Sequence, residues 1–186
     1  LCVQPSKSGG ASRIASTVTL YNELLKTSPA LVKELIAEFY LTKHGEVQPG
    51  EDPWYRMPLF SFHDGYFTAR GAGAHVHKAQ DLPGVPKFTD AQRAALKAYQ
   101  EMARKVRFDM EFRPGDIQIL HNHVMLHTRT EFEDWPEPER KRHLMRLWLA
   151  EDRGGRPVVT GFRDSIKGIP PKDAEICAPV DAFEPA

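Results

Sequence analysis

Cysteine is nearly absent from these 186 residues. Cys2 and Cys177 stand near opposite ends, too few for a disulfide framework and in keeping with a reducing, cytoplasmic compartment. An excess of one charge is also missing: 25 Lys and Arg balance 25 Asp and Glu. That balance argues against nucleic acid or an anionic membrane surface and leaves small-molecule partners. No apolar run approaches the ~20 residues that span a bilayer, and no secretory leader pattern occurs. A glycine-rich phosphate loop, a serine nucleophile elbow and a paired-cysteine zinc signature are all lacking. An initiating Met is lacking too. Residues 1–5 read as a buried strand already under way, so we expect a fragment of a longer protein.

A hydrophobic content of 41% with 10% aromatics supports a packed core, and the length favours one domain over residues 1–186, with a tail of uncertain structure from 151. After a polar glycine turn at residues 6–10, a short strand is expected at 12–14. Val18, Tyr21, Leu24 and Leu25 then recur at helical spacing behind Ser16 or Thr17 as cap. Ser28 and Pro29 start a second helix marked by Leu31, Leu35, Ile36 and Phe39. Residues 41–58 read as a long surface connection. Residues 58–62 and 66–70 flank His63-Asp64-Gly65, a hairpin signal, and a further loop runs to Phe88. Thr89 with Gln92 forms a capping box for a helix carrying Leu96, Tyr99, Met102, Ala103 and Val106. Short β-type runs follow at 109–112, 117–120, 124–127 and 144–150, with another at 158–162. The pattern predicts a mainly β fold with inserted helices, α+β in class.

Three histidines, His121, His123 and His127, fall within seven residues. In an extended strand they share a face with Met125, opposite Asn122, Val124 and Leu126. Imidazoles clustered on a rigid strand suit a non-haem iron or zinc site completed by a carboxylate, though hydrogen-bonded wall residues give the same pattern. His75 and His77 read as a strand-like pair without a carboxylate at ligand spacing. His44 and Glu46 have metal-ligand spacing inside an exposed connection. Arg142 and Arg146 share a face of an otherwise apolar strand, where a guanidinium needs a carboxylate, either from a ligand or from the acidic stretch 131–139.

These features combine into a resemblance. A Pro114-Gly115-Asp116 turn enters a strand; Asn122 precedes His127 by five residues; His127-Thr128-Arg129-Thr130 follows, and Arg142 and Arg146 lie in the apolar run beyond. With Gly9-Gly10-Ala11-Ser12 near the start, residues 1–149 resemble the taurine dioxygenase family of iron(II)/2-oxoglutarate-dependent oxygenases. The resemblance implies a double-stranded β-helix, or jelly roll, of which this chain is the C-terminal portion. It implies Fe(II) and 2-oxoglutarate as cofactors, with O2 and a small organic substrate, and hydroxylation with release of succinate and CO2 as the default reaction. By position, His127 matches the distal iron-binding histidine and Arg146 the arginine gripping the far carboxylate of 2-oxoglutarate. Arg142 matches a second arginine near the cosubstrate, Ser12 a hydroxyl that helps hold it, and Asn122 a strand residue beside the site. His121 and His123 become wall residues. The family's other two iron ligands are expected before Leu1. Phe60, Phe62, Tyr66, Met125 and Trp148 are candidates for an apolar wall or for core packing. Two rivals are a non-catalytic jelly-roll domain that binds a carboxylated ligand and a zinc-dependent hydrolase built on the His cluster.

Overall fold

The computed structural model describes residues 1–43, 45, 47, 49–147, 149 and 156–159. Its elements in chain order are β1 (Cys2–Gln4), β2 (Ser8–Gly9), β3 (Ser12–Ser16), α1 (Thr17–Thr27), α2 (Pro29–Ile36), β4 (Glu38–Thr42), β5 (Trp54–Pro58), β6 (Phe60–His63), β7 (Tyr66–Ala69), α3 (Ala74–Ala79), α4 (Asp90–Lys105), β8 (Phe108–Met110), β9 (Met125–Arg129), β10 (Phe132–Glu133) and β11 (His143–Leu144). Strands and helices are mixed, as the α+β reading requires. Every described strand pair is antiparallel: β1 with β11, β2 with β10, β8 and β9 on either side of β3, β4 with β5, and β6 with β7.

The helix starts follow from local chemistry. Ser16 Oγ accepts from the Thr19 N–H at 3.2 Å, relieving one of the donors left over at the start of α1. Pro29 opens α2 where its missing N–H costs nothing. At α4 the predicted capping box is complete, with Thr89 Oγ1 accepting from Gln92 N–H and Gln92 Oε1 accepting from Thr89 N–H.

The core lies where α1, α2 and α4 meet the β4–β5 and β6–β7 hairpins. Leu20, Leu24, Val32, Leu35, Phe39, Leu41, Met57, Phe60, Leu96 and Tyr99 form one buried cluster. Full burial of each such aliphatic or phenyl side chain is worth about 1.5–3 kcal/mol relative to exposure. Tyr99 keeps its hydroxyl satisfied by donating to Arg70 O at 2.9 Å, and burial pushes its pKa up. Tyr21 meets Phe60 edge-on at 5.3 Å and Phe62 at 5.5 Å, tying the second hairpin to α1.

Several local expectations are corrected. Residues 41–58 are no surface connection: β4 and β5 pair over five positions, with Phe39, Leu41, Tyr55 and Met57 turned inward, and only residues 43–53 make the loop. Phe39 belongs to β4, since α2 stops at Ile36. His75 and His77 lie on α3, whose Val76 is buried, instead of on a strand. Residues 117–120 form no strand and the run at 109–112 shrinks to β8; of the run at 144–150, the described residues are in a strand only at Leu144 of β11, and 148 and 150 lie outside the described residues. Val158 and Val159 form no strand, with Val158 buried in the core; residues 160–162 lie outside the described residues.

Candidate functional site

Directly opposed residues of an antiparallel pair share a face, so register decides which side chains meet. β3 places Ile14 opposite His127 and Ser12 opposite Arg129, while on its other side Ser12 faces Met110 and Ile14 faces Phe108. Ser12, Ile14, Phe108, Met110, His127 and Arg129 therefore lie on one face of this sheet. Ala15 and Leu126 lie on the other, where Leu126 packs against the core. A cavity of about 400 Å³ opens beside the first face, lined by Ile14, Met110, Phe112 and residues 116–120.

His127 is the imidazole of that face. Burial, and then the positive charge of Arg146, hold its imidazole below the ordinary histidine value. The neutral form that results is the one that donates a lone pair to a metal. Arg146 itself is exposed and electrostatically close enough to act on His127.

Ser12 is buried at the start of β3, and its hydroxyl donates to Gln118 Oε1 at 3.2 Å. Gln118 in turn reaches Met110 Sδ at 3.4 Å. The 117–120 segment is thereby anchored to the sheet through side chains although it forms no ladder.

Arg142 stands elsewhere. Its N–H donates to Asp134 Oδ1 at 2.9 Å, and its guanidinium lies 5.2 Å from the centre of the Phe132 ring. Gly10 packs beneath it: a Cβ added there would come within 3.3 Å of Arg142 Nε and 2.7 Å of Ser6 Oγ. A second cavity of about 290 Å³ is bounded by Cys2, residues 5–11, Phe112, Arg142 and Leu144. Arg142 thus borders the second cavity, while Arg146 lies close enough to act on His127.

The remaining sequence candidates sort by position. Asn122 is exposed and sits in a turn, not in a strand, because Val124 and Met125 N–H both donate to His121 O. The alternation expected over 121–127 holds only from Met125 onward, yet the His121 and His123 rings still lie 5.2 Å apart. Phe60 is core, packed on Phe67 and Tyr99; Phe62 and Tyr66 are exposed on the hairpin. His44, Glu46 and Trp148 lie outside the described residues. Among the described residues no three His, Cys, Asp or Glu side chains group closely enough to hold a metal. His127 fits as one ligand of an iron site, and the described residues supply no complete set.

Sequence reasoning passed over Gln118, Asp134, Phe132 and Arg129. Arg129 lies 4.3 Å from the Phe132 ring centre, so that ring is flanked by two guanidiniums. The available signal was the aromatic residue three positions after Arg129 and ten before Arg142.

Residues 1–148 match the family model described as taurine catabolism dioxygenase TauD, TfdA family. The FR-33289 synthase of Streptomyces rubellomurinus is 32% identical over 164 residues, which is 83% of this chain and 47% of that protein. A taurine hydroxylase-like protein of Stachybotrys chartarum is 31% identical over 157 residues, 81% of this chain and 39% of its own length. Asparagine oxygenase, solved with Fe(II), a hydroxyasparagine and succinate, superposes with a TM-score of 0.56 at 20% identity over 76% of this chain and 41% of that one, a likeness of fold. The chain spans less than half the length of each of these three proteins. A family match running almost unbroken from the strand at Cys2 to the arginines beyond β10 establishes that the chain belongs to the TauD/TfdA dioxygenase family.

Proposed function

We propose that this chain is the part of an Fe(II)/2-oxoglutarate-dependent dioxygenase that carries one iron-binding histidine and the cosubstrate arginines, in a double-stranded β-helix whose other strands lie outside the described residues. The observation that carries the reading is a neutral imidazole, His127, set on the face of β9 opposite the core, with the Arg146 charge close enough to act on it. Iron(II), when bound, supplies the O2 chemistry that couples conversion of 2-oxoglutarate to succinate and CO2 with oxidation of a small organic substrate.

The chain's own residues bind and orient. His127 offers its lone pair at the metal. Arg146 offers the planar pair of donors that matches the distal carboxylate of 2-oxoglutarate, and Arg142 a second cationic contact above the glycine turn. Ser12 supplies a hydroxyl already bonded to Gln118, whose orientation is therefore set before a ligand arrives. Asn122 borders the site at the entrance to β9. Met125, partly buried on the His127 side of β9, contributes apolar wall.

Succinate release from the purified protein with Fe(II), 2-oxoglutarate and O2 tests this reading, and His127→Ala is expected to abolish it. Retained succinate formation in His127→Ala would overturn the assignment.

A further inference from the structure

Gln118 bridges a cross-strand pair. Ser12 of β3 lies opposite Met110 of β8, and directly opposed residues of an antiparallel pair hold their Cβ atoms roughly 4.5–5.5 Å apart. The Gln118 side chain closes over both: its Oε1 accepts from Ser12 Oγ at 3.2 Å, and its Nε2 donates to Met110 Sδ at 3.4 Å. The main chain just upstream is fixed, since Asp116 O accepts from Cys2 N–H and Gly115 N–H donates to Cys2 O, both at 2.8 Å. Ser12 is buried, whereas Gln118 is half-buried and lines the cavity of about 400 Å³.

The two bonds are unequal. A serine hydroxyl carries one proton and two lone pairs, so a Ser12 that donates to Gln118 has only lone pairs left for a further partner. Lone pairs repel a carboxylate. A thioether sulfur is a weak acceptor, so the bond to Met110 does little to hold the amide in place. The terminal torsion of glutamine is broad and roughly two-fold, and a half-turn exchanges its oxygen and nitrogen without moving the backbone. Turned over, Nε2 donates to Ser12 Oγ, the Ser12 O–H is free to donate to a ligand oxygen, and Oε1 faces Met110. One weak N–H···S contact is exchanged for an O–H···O⁻ bond, which is the stronger kind.

We propose that Gln118 is a positioning residue acting through Ser12: its amide retains the Ser12 O–H in the ligand-free protein, and a bound carboxylate turns the amide over and accepts the hydrogen bond so released. Ser12 lies diagonally across the β3–β9 pair from His127, roughly 7–8 Å away, so a ligand held by this hydroxyl stands on the imidazole's face of the sheet. The inference rests on the cosubstrate reading of Ser12, with 2-oxoglutarate as the carboxylate.

The test is an NMR titration of the metal-free protein, isotope-labelled in its glutamine side chains, with 2-oxoglutarate. The Gln118 amide signals, identified by their loss in Gln118→Leu, are expected to shift saturably, and the shift to be lost at saturating ligand in Ser12→Ala. Affinities from the same titrations give the second readout. An ionised glutamate only accepts, so Gln118→Glu pins the Ser12 O–H and weakens binding; in the Ser12→Ala background the same substitution adds charge repulsion alone. Its effect is expected to be at least about tenfold larger with Ser12 present, the size of a hydrogen bond to a charged group. Gln118→Leu, which frees the Ser12 O–H, is expected to bind 2-oxoglutarate no more weakly than the wild type. Amide signals that 2-oxoglutarate leaves in place, an equal effect of Gln118→Glu in both backgrounds, or weaker binding by Gln118→Leu would overturn the proposal. Binding with these couplings but no succinate release overturns the oxygenase reading alone, and succinate release without them overturns this inference alone.

Discussion

Arg146 acts on His127 through space while its side chain stays exposed, so its removal should cost binding and not folding. Arg146→Ala is expected to raise the KM for 2-oxoglutarate by at least about tenfold, the size of effect expected for a lost bidentate charge pair, with the melting temperature unchanged. Comparison of KM and kcat in Arg146→Ala and Arg142→Ala, beside a thermal melt, checks it. A second consequence concerns acid. His123 and His127 both have depressed pKa values, so the unfolded chain binds protons before the folded one as pH falls below ~6.5. The stability they contribute is fully present above that pH and is lost as pH drops toward their folded values. Urea midpoints measured from pH 7.5 to 5 should fall over this interval, and the fall should be smaller in His123→Gln. A flat profile would contradict the lowered pKa of both rings.

Elements built by local rules were legible; those built by pairing were less so. The caps of α1 and α4 and the proline start of α2 needed only neighbouring residues, and each stands as read. The β4–β5 hairpin was missed although Phe39 and Leu41 alternate with Glu38 and Tyr40. Its Gly- and Pro-containing loop dominated the composition of the window and hid two five-residue strands. The glycine turn shows the same dependence on distant partners. Gly9 has φ +68°, and a Cβ there would lie 2.2 Å from Glu131 O, the backbone across from β2. Since neither strain nor clash can be relieved by a rotamer change, Gly9→Ala is expected to destabilise by about 2–4 kcal/mol and to loosen the β2–β10 pairing. Denaturant unfolding and amide exchange at Phe132 and Glu133 measure both effects.

At the scale of the molecule, several large apolar side chains stand uncovered. Ile119 is 85% exposed, Leu147 84% and Leu149 87%, with Phe108 and Ile117 also mostly exposed. Where such exposed apolar side chains adjoin, they favour association. The 186-residue chain is therefore expected to self-associate and to bind a hydrophobic dye, and the double substitution Ile119→Lys with Leu147→Lys to reduce both. Sedimentation velocity and dye fluorescence decide it. No described helix is long and apolar enough to cross a membrane.

What the sequence by itself determined is what short-range chemistry controls: the caps and amphipathic faces of the helices, the Asp-Gly hairpin, and the spaced His, Arg and Gly residues by which the family is recognised. The tertiary structure alone decided which of those residues meet. It bonded Ser12 to Gln118 across 106 positions, set Ile14 opposite His127, and closed Gly9 against Glu131 O. Those contacts depend on strand register and on clearance over glycine between segments far apart in the chain, which no local pattern encodes.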